Sequence, residues 1–291
     1  MVKTIGQLYR DARNALLEQE DPQLASLYAR NLLCHVTGKT PEKVIADGNE
    51  PASEEAVQAM WQAVNRLLVG EPLAYVLGQW DFYGMTLQVS PNVLIPRDDT
   101  CAVTEHAVRQ GLFLPENPRI LDLCTGSGCI GLAIASQLKD ARVTLADISA
   151  DALAVAKKNI AMTKLSGRVA CYQADALKEP EPFLGQFHMI VSNPPYITTQ
   201  EMEQLPVSVR DYEPHLALHG GDDGLIFYRA IAKNFRKALK PDGYLCFEFG
   251  MGQGDDVCQI LAENGYTILE RARDFNDRER AVIAQYHRKE E

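Results

Sequence analysis

The chain has 291 residues, 46% of them hydrophobic and 23% charged, with a formal net charge of -10. These proportions are ordinary for a globular protein and allow one large domain or two unequal ones. They count against a duplex-binding protein, which neutralises phosphates with a basic surface, and no run nears the roughly 18 unbroken apolar residues of a membrane span. The seven cysteines, at 34, 101, 124, 129, 171, 246 and 258, are odd in number and form no CxxC pair. Neither a disulfide framework nor a zinc site is expected, and the simple expectation is a reducing cytoplasm. The opening MVKTIGQLYRDARNALL mixes acidic and basic residues without a small-residue cleavage site, so it reads as a mature helix rather than a signal peptide.

In chain order, the first ~70 residues carry helical periodicity. Thr4 and Gln7 match a capping box, with Ile5, Leu8, Tyr9, Ala12 and Leu16 at helical spacing. Pro22 opens a second helix with Leu24, Leu27, Tyr28, Leu32 and Val36 on one face and Gly38 as its stop. Thr40-Pro41 starts a short third helix. Ser53 caps a fourth, whose stripe is Val57, Met60, Trp61, Val64 and Leu68. Such stripes are core faces, so residues 1–75 are expected to form a helical bundle with no chemistry of its own. From Gly70 onward the chain is rich in Gly, Pro and aromatics, and Met85 to Val89 alternates as a strand does. A hairpin linker is expected over residues 76–100, and a second domain over 101–291.

After Pro118, strand and helix patterns alternate. Strands are expected at 119–123, 142–146, 168–172, 187–192 and 244–249, with helices at 129–138, 150–162 and 225–239, then short β runs at 266–269 and 281–284. Alternation of this kind predicts an α/β fold, a mostly parallel sheet with helices on both faces.

Within the first strand-to-helix turn, LDLCTGSGCIG sets Gly126, Gly128 and Gly131 as G-x-G-x-x-G. Glycines there let the backbone turn tightly and approach a ligand ahead of a helix N-terminus. Asp147, ending the second strand 21 residues after Gly126, can accept hydrogen bonds from ribose hydroxyls. The glycines alone suit a dinucleotide or S-adenosylmethionine. Asp122 helps decide between them. A buried carboxylate is costly without partners, and this one would either organise the glycine loop or receive the ammonium of a bound amino acid. A pyrophosphate at that place would be repelled. The pattern resembles the cofactor loop of class I methyltransferases, in which Asp175 would hold the adenine amino group.

The fourth strand ends as HMIVSNPPY, residues 188–196. Its tip would face the same crevice as Gly126. A planar amide or aryl-amine nitrogen is a poor nucleophile, so it has to be held in line with the methyl carbon. The Asn193 side-chain carbonyl and the Pro194 backbone carbonyl are two acceptors for its hydrogens. The stiff Pro194-Pro195 pair fixes them, and Tyr196 could stack on the acceptor. The tetrapeptide leaves adenine, cytosine and glutamine nitrogens open as acceptors.

The wider sequence resembles the release factor glutamine methyltransferases, the HemK/PrmC family, over nearly the whole chain. The matching stretches are Gly70 to Tyr75, Gly78, Phe82, Gly84, Leu94 to Arg97, Thr100, the glycine loop, Asn193 to Tyr196, Tyr212 to Pro214, Ala217-Leu218 and Gly220 to Leu225. The resemblance implies a class I methyltransferase Rossmann-like seven-stranded sheet with a small N-terminal all-helical domain. It implies a cytoplasmic transferase that moves methyl from S-adenosylmethionine, leaving S-adenosylhomocysteine, to N5 of the glutamine in the Gly-Gly-Gln motif of class I peptide chain release factors. Nucleic acid, membrane and metal have no part in it. The implied cofactor residues are Asp122, Cys124, Thr125, Gly126, Ser127, Gly128, Asp147, Asp175, Ala176 and Asn193. The implied substrate clamp is Asn193, Pro194, Pro195 and Tyr196, with Asn193 and Tyr196 catalytic. A ribosomal-protein glutamine and an adenine N6 are the alternative acceptors. Two positions depart from the family: Cys101 stands where Glu is frequent, and Ala176 where a large aromatic often covers adenine.

Overall fold

The computed structural model describes residues 3–287. The chain divides into two compact units, the first running to Gly78 and including Val207–Tyr212, the second formed by Gln79–Pro206 and the chain from Glu213 onward.

In the first unit, α1 (Ile5–Leu16) begins at a closed capping box. Thr4 Oγ1 accepts from the Gln7 backbone, and the Gln7 side chain accepts from the Thr4 backbone. Asp21 caps α2 (Pro22–Thr37) by accepting from the backbone of Gln23 and Leu24. The inward face of α2 is Ala25, Ala29, Leu32 and Leu33, whereas Leu24 and Leu27 are exposed. The face is therefore rotated from the leucine stripe expected, because small residues at a helix contact let the axes approach. Thr40 and Ser53 cap α3 (Pro41–Ala46) and α4 (Glu54–Leu68). The stretch after Pro72 is helical too: α5 (Leu73–Leu77) is too short to show a period, and its four buried side chains hold it in place. The Arg66 guanidinium joins α4 to α5, donating to Glu71 and to the carbonyls of Tyr75 and Val76. The Tyr212 hydroxyl donates to the Val69 carbonyl at 2.7 Å, fastening residues 207–212 to this unit.

The second unit opens with a hairpin, β1 (Gln79–Phe82) and β2 (Met85–Gln88), turning through Tyr83 and Gly84 at φ 49° and 75°. Two successive positive φ values are the type I′ geometry that matches strand twist. Leu87 is fully buried in this unit's core. The buried Asn159 side chain accepts from Gln88 N at 2.7 Å and donates to Gln88 O at 3.0 Å and to Ser127 O at 2.9 Å. One amide thus joins the hairpin, a helix and the glycine loop.

The remaining elements are α6 (Cys101–Gly111), β3 (Arg119–Leu123), α7 (Cys129–Gln137), β4 (Arg142–Asp147), α8 (Ala150–Met162), β5 (Val169–Gln173), β6 (Phe187–Ser192), α9 (Thr199–Met202), α10 (Val207–Arg210, in the first unit), α11 (Ile226–Asn234), β7 (Leu239–Glu248), α12 (Gly254–Glu263), β8 (Tyr266–Arg273) and β9 (Glu279–Tyr286). The sheet has seven strands in the order β5-β4-β3-β6-β7-β9-β8. The first five run parallel, and β9 is antiparallel to both β7 and β8. Side chains alternate between two cores. Ile120, Val143, Val191 and Ile283 pack with α6, α7 and α8, whereas Leu121, Ile190, Phe247 and Val282 pack with α11 and α12.

Strand β7 begins five residues before the strand expected at 244–249. Lys240-Pro241-Asp242-Gly243 reads as a turn, and the structure absorbs it as a bulge between the pairs Phe187–Leu239 and Met189–Tyr244. Chain order reverses between β3 and β6, which opens a crevice beyond their carboxyl ends. Among the described residues, no helix is long and apolar enough to cross a membrane.

Asn159→Ala would leave the Gln88 and Ser127 backbone groups without partners. At about 1–3 kcal/mol for each buried group left unsatisfied, urea unfolding should show a loss of several kcal/mol. A midpoint equal to that of the parent would refute the linking role.

Candidate active site

Strand β3 delivers the chain into the glycine loop through Cys124, Gly126 and Gly128, at φ 60°, 53° and 86°. Asp122 is fully buried. Its Oδ2 accepts from the Thr125 hydroxyl at 2.5 Å and from Gly131 N at 2.9 Å, while Oδ1 has no hydrogen-bond partner. Burial pushes its pKa up to about 7, hydrogen bonds from Thr125 and Gly131 pull it back, and Asp147 adds a further upward push. Gly131 is obligatory here, because a Cβ would stand 2.3 Å from Leu145 Cδ2 and 2.9 Å from Asp122 Oδ2. Asp122 therefore organises the loop. The carboxyl lies behind the loop and is not among the residues lining the cavity. Gly128 also stands behind the lining, where a Cβ would meet Leu145 at 2.9 Å.

In front of the loop lies a cavity of about 190 Å³. Cys124, Thr125, Gly126, Ser127, Asp147, Asp175, Ala176 and Asn193 all line it. Nothing lies within 4 Å of the place a Gly126 Cβ would take, which leaves the loop's face open to a ligand. Asp147 Oδ2 accepts from Gly126 N at 2.9 Å and Oδ1 from Ser149 N at 2.9 Å. A carboxylate offers about four acceptor sites, so capacity remains for hydroxyl donors. Burial raises the Asp147 pKa against the pull of the Ser149, Gly126 and Ile148 amides. Asp175 Oδ1 accepts from Leu177 N at 2.9 Å, and Oδ2 lies 3.3 Å from Lys178 Nζ.

At the tip of β6, Asn193 and Pro195 line the cavity, and Asn193 Nδ2 donates to Thr100 Oγ1 at 3.3 Å. Pro194 and Tyr196 do not line it. Tyr196 is held from the core side. Its ring packs on the apolar core beside Gly250, where a Cβ would stand 2.9 Å from Tyr196 Cδ2. Burial raises its phenol pKa well above the ordinary value, so the hydroxyl stays protonated.

The Gly220-to-Leu225 stretch supports the tip from behind. Ile197 N donates to Leu218 O at 2.9 Å, Gly220 N to Ile197 O at 2.8 Å, and Thr199 N to Gly221 O at 3.1 Å. A Cβ on Gly220 would stand 2.6 Å from Tyr196 Cα and 2.7 Å from Pro195 O. On Gly224, at φ +72°, it would stand 2.3 Å from Tyr196 O. Gln253 Nε2 donates to that same carbonyl at 3.1 Å. Glu213 is buried; it accepts from Ile95 N at 3.1 Å and pairs with Arg97, fixing Pro96, Arg97 and Pro214 in the cavity wall.

Apolar lining residues outside the expected site set include Ile148, Leu177 and Phe227. Their side chains add apolar surface to the cavity that also takes in Ala176. Ile148 carried a usable signal, a large apolar residue directly after the acid that ends β4. Phe227 carried none, since only the sheet's closure brings α11 to the cavity.

The fold and this cavity define a Rossmann-like methyltransferase. Residues 109–208 match the methyltransferase small domain and residues 7–78 the PrmC N-terminal domain. A solved methyltransferase from Pyrococcus furiosus shares the fold at 16% identity, with a TM-score of 0.51 over 77% of this chain and 98% of that one. A release factor glutamine methyltransferase of Clostridium acetobutylicum is 37% identical over 253 residues, 87% of this chain and 88% of the relative. That of Geobacter sulfurreducens is 37% identical over 274 residues, 94% and 93%. The chain belongs to the release factor glutamine methyltransferase family.

Two outcomes follow from this geometry. The Asp122 carboxyl keeps its proton in the folded chain up to about pH 7, whereas an ordinary Asp loses it near 3.8. Between those values the folded state binds the extra proton, so this contribution to stability declines as pH rises and is lost above about 7. Asp122→Asn should gain stability relative to the parent from pH 5 to pH 8 in denaturant unfolding, and a pH-independent difference would contradict the assignment. Gly224→Ala should cost about 1–3 kcal/mol through backbone overlap and strain; full stability would show that the Tyr196 carbonyl can yield.

Proposed function

We propose that this chain methylates the side-chain amide N5 of the glutamine in the Gly-Gly-Gln motif of class I peptide chain release factors, with S-adenosylmethionine as methyl donor and translation termination as the process served. The observation that carries the reading is that Asn193 and the glycine loop line one cavity. A methyl acceptor held by the first would face a donor held by the second.

Bound S-adenosylmethionine supplies an electrophilic methyl on a sulfonium sulfur. Asp147 suits ribose hydroxyls by its remaining acceptor sites, and Ile148, Leu177 and Phe227 suit an adenine by apolar contact. Family membership supports Asn193 Oδ1 and the Pro194 carbonyl as acceptors for the two amide hydrogens. Holding both hydrogens leaves the nitrogen's π face directed at the methyl carbon. Once bound, the cofactor would supply the methyl and keep the S–C electron pair on sulfur, and the acceptor nitrogen held by Asn193 and Pro194 would release one N–H proton to solvent. Catalysis by positioning of this kind supplies several kcal/mol and requires no dedicated base before transfer. Tyr196 contributes by packing, which fixes Pro195.

The helical unit is proposed to bind the release factor away from the reacting glutamine. A Gly-Gly-Gln loop is thin and presents little surface of its own, so orientation has to come from remote contacts. Deletion of residues 1–78 should raise KM for intact release factor and spare cofactor affinity. Unchanged kinetics would remove the unit from recognition.

The direct test is label transfer from S-adenosylmethionine to release factor, to a Gln→Ala tip variant, to ribosomes and to DNA. Label is expected on the release factor alone and absent from the tip variant; label on ribosomes or DNA without release factor would overturn the assignment. Asn193→Ala should lower kcat by about 100-fold or more with the fold intact, since a misplaced acceptor costs that much. Near-parental turnover would refute the clamp.

A further inference from the structure

Beyond the residues that line the cavity, Glu248 is a buried acid for which the mechanism above has no use. It ends β7, opposite Ala281 of β9, and is 2% exposed. Among the described residues, its Oε2 has no hydrogen-bond partner. The cation that acts on it, Arg280, is already engaged, lying 2.8 Å from Asp99 and 3.2 Å from Asp274. What faces the Glu248 carboxyl is the Thr100 hydroxyl and the Asn193 side chain, which, with Arg280, pull its pKa down while burial and Asp99 push it up to about 7. A buried carboxyl without an ion pair is costly, and this one stands directly behind the clamp.

The amide of Asn193 is asymmetric. Its oxygen accepts and its nitrogen only donates. The acceptors behind it, Thr100 Oγ1 at 3.3 Å and the Glu248 carboxyl, favour the nitrogen on that side. We propose that Glu248 is a positioning residue which, together with Thr100, takes the Nδ2 end of Asn193 and so fixes Oδ1 toward the methyl acceptor. Without it, the amide rotates and offers a donor to an acceptor nitrogen whose hydrogens need an oxygen. The inference rests on the reading of Asn193 as the holder of the acceptor nitrogen.

The test uses the full chain with intact release factor, S-adenosylmethionine and selective 15N-asparagine labelling, the Asn193 side-chain signal being assigned with Asn193→Ala. Glu248→Met keeps the volume and removes the acceptor. It should lower kcat by about tenfold or more while KM and the calorimetric Kd for S-adenosylmethionine stay within about twofold. The Asn193 Nδ2 resonances should shift and lose protection from exchange. Glu248→Gln retains an acceptor oxygen and should keep kcat within about threefold of the parent. Should Glu248→Met fail to fold, Thr100→Val carries the same expectation. The inference is overturned if kcat falls with the Asn193 resonances unmoved, or if the resonances move with kcat unchanged. If the parent itself leaves release factor unlabelled, the functional reading fails, and the Asn193 resonances alone decide whether Glu248 orients the amide.

Discussion

The site depends on one steric constraint, the backbone-to-backbone contact behind Pro195 and Tyr196. Gly220 and Gly224 approach the β6 tip so closely that a methyl group at either would overlap main-chain atoms. The hydrogen bonds between Ile197 and the 218–220 backbone turn this approach into a short ladder. Because the tip is pinned from behind, Asn193 faces the cavity at a fixed height. Pro194 and Pro195 add stiffness that sequence alone suggests, but stiffness without a support would leave the tip's direction open. Tyr196 belongs to this support: its ring packs against the core and its carbonyl takes the Gln253 side chain.

Two buried carboxyls flank the crevice, and they answer the same physical problem on different strands. Asp122 on β3 gathers the Thr125 hydroxyl and the Gly131 amide, giving the glycine loop its shape. Glu248 on β7 faces Thr100 and Asn193 across the other side of β6. Each has one oxygen without a partner, and burial raises each to about 7. Apolar residues would be easier to bury. An apolar side chain cannot direct a backbone amide or a side-chain amide, so these acids trade stability for the orientation of groups next to the ligand space.

Much of this was legible in the sequence where the determinant is local. The Thr4–Gln7 box, the Pro22 start and the Ser53 cap act within one turn, and each stands as expected. The G-x-G turn followed by Asp147 is legible for the same reason: its geometry belongs to one strand-turn-helix unit. The failures have the opposite character. The α2 face turned from leucine to alanine because its neighbour, not its own periodicity, selects the contact. Lys240 to Gly243 reads as a turn and lies within β7, because pairing with β6 tolerates a bulge there.

The sequence by itself determined the chemistry offered: a glycine loop with an acid downstream, an Asn-Pro-Pro-Tyr tip, a helical bundle ahead of an α/β unit, and a family resemblance carried by separate short stretches. Tertiary structure alone decided what those stretches do for one another. Glu213 holds the Ile95–Arg97 wall, the 220–225 glycines carry the β6 tip, and Phe227 and Leu177 line the same cavity as Ala176. These relations join residues as much as 118 positions apart. Contacts at such separations are set by sheet order and register, and no local pattern encodes them.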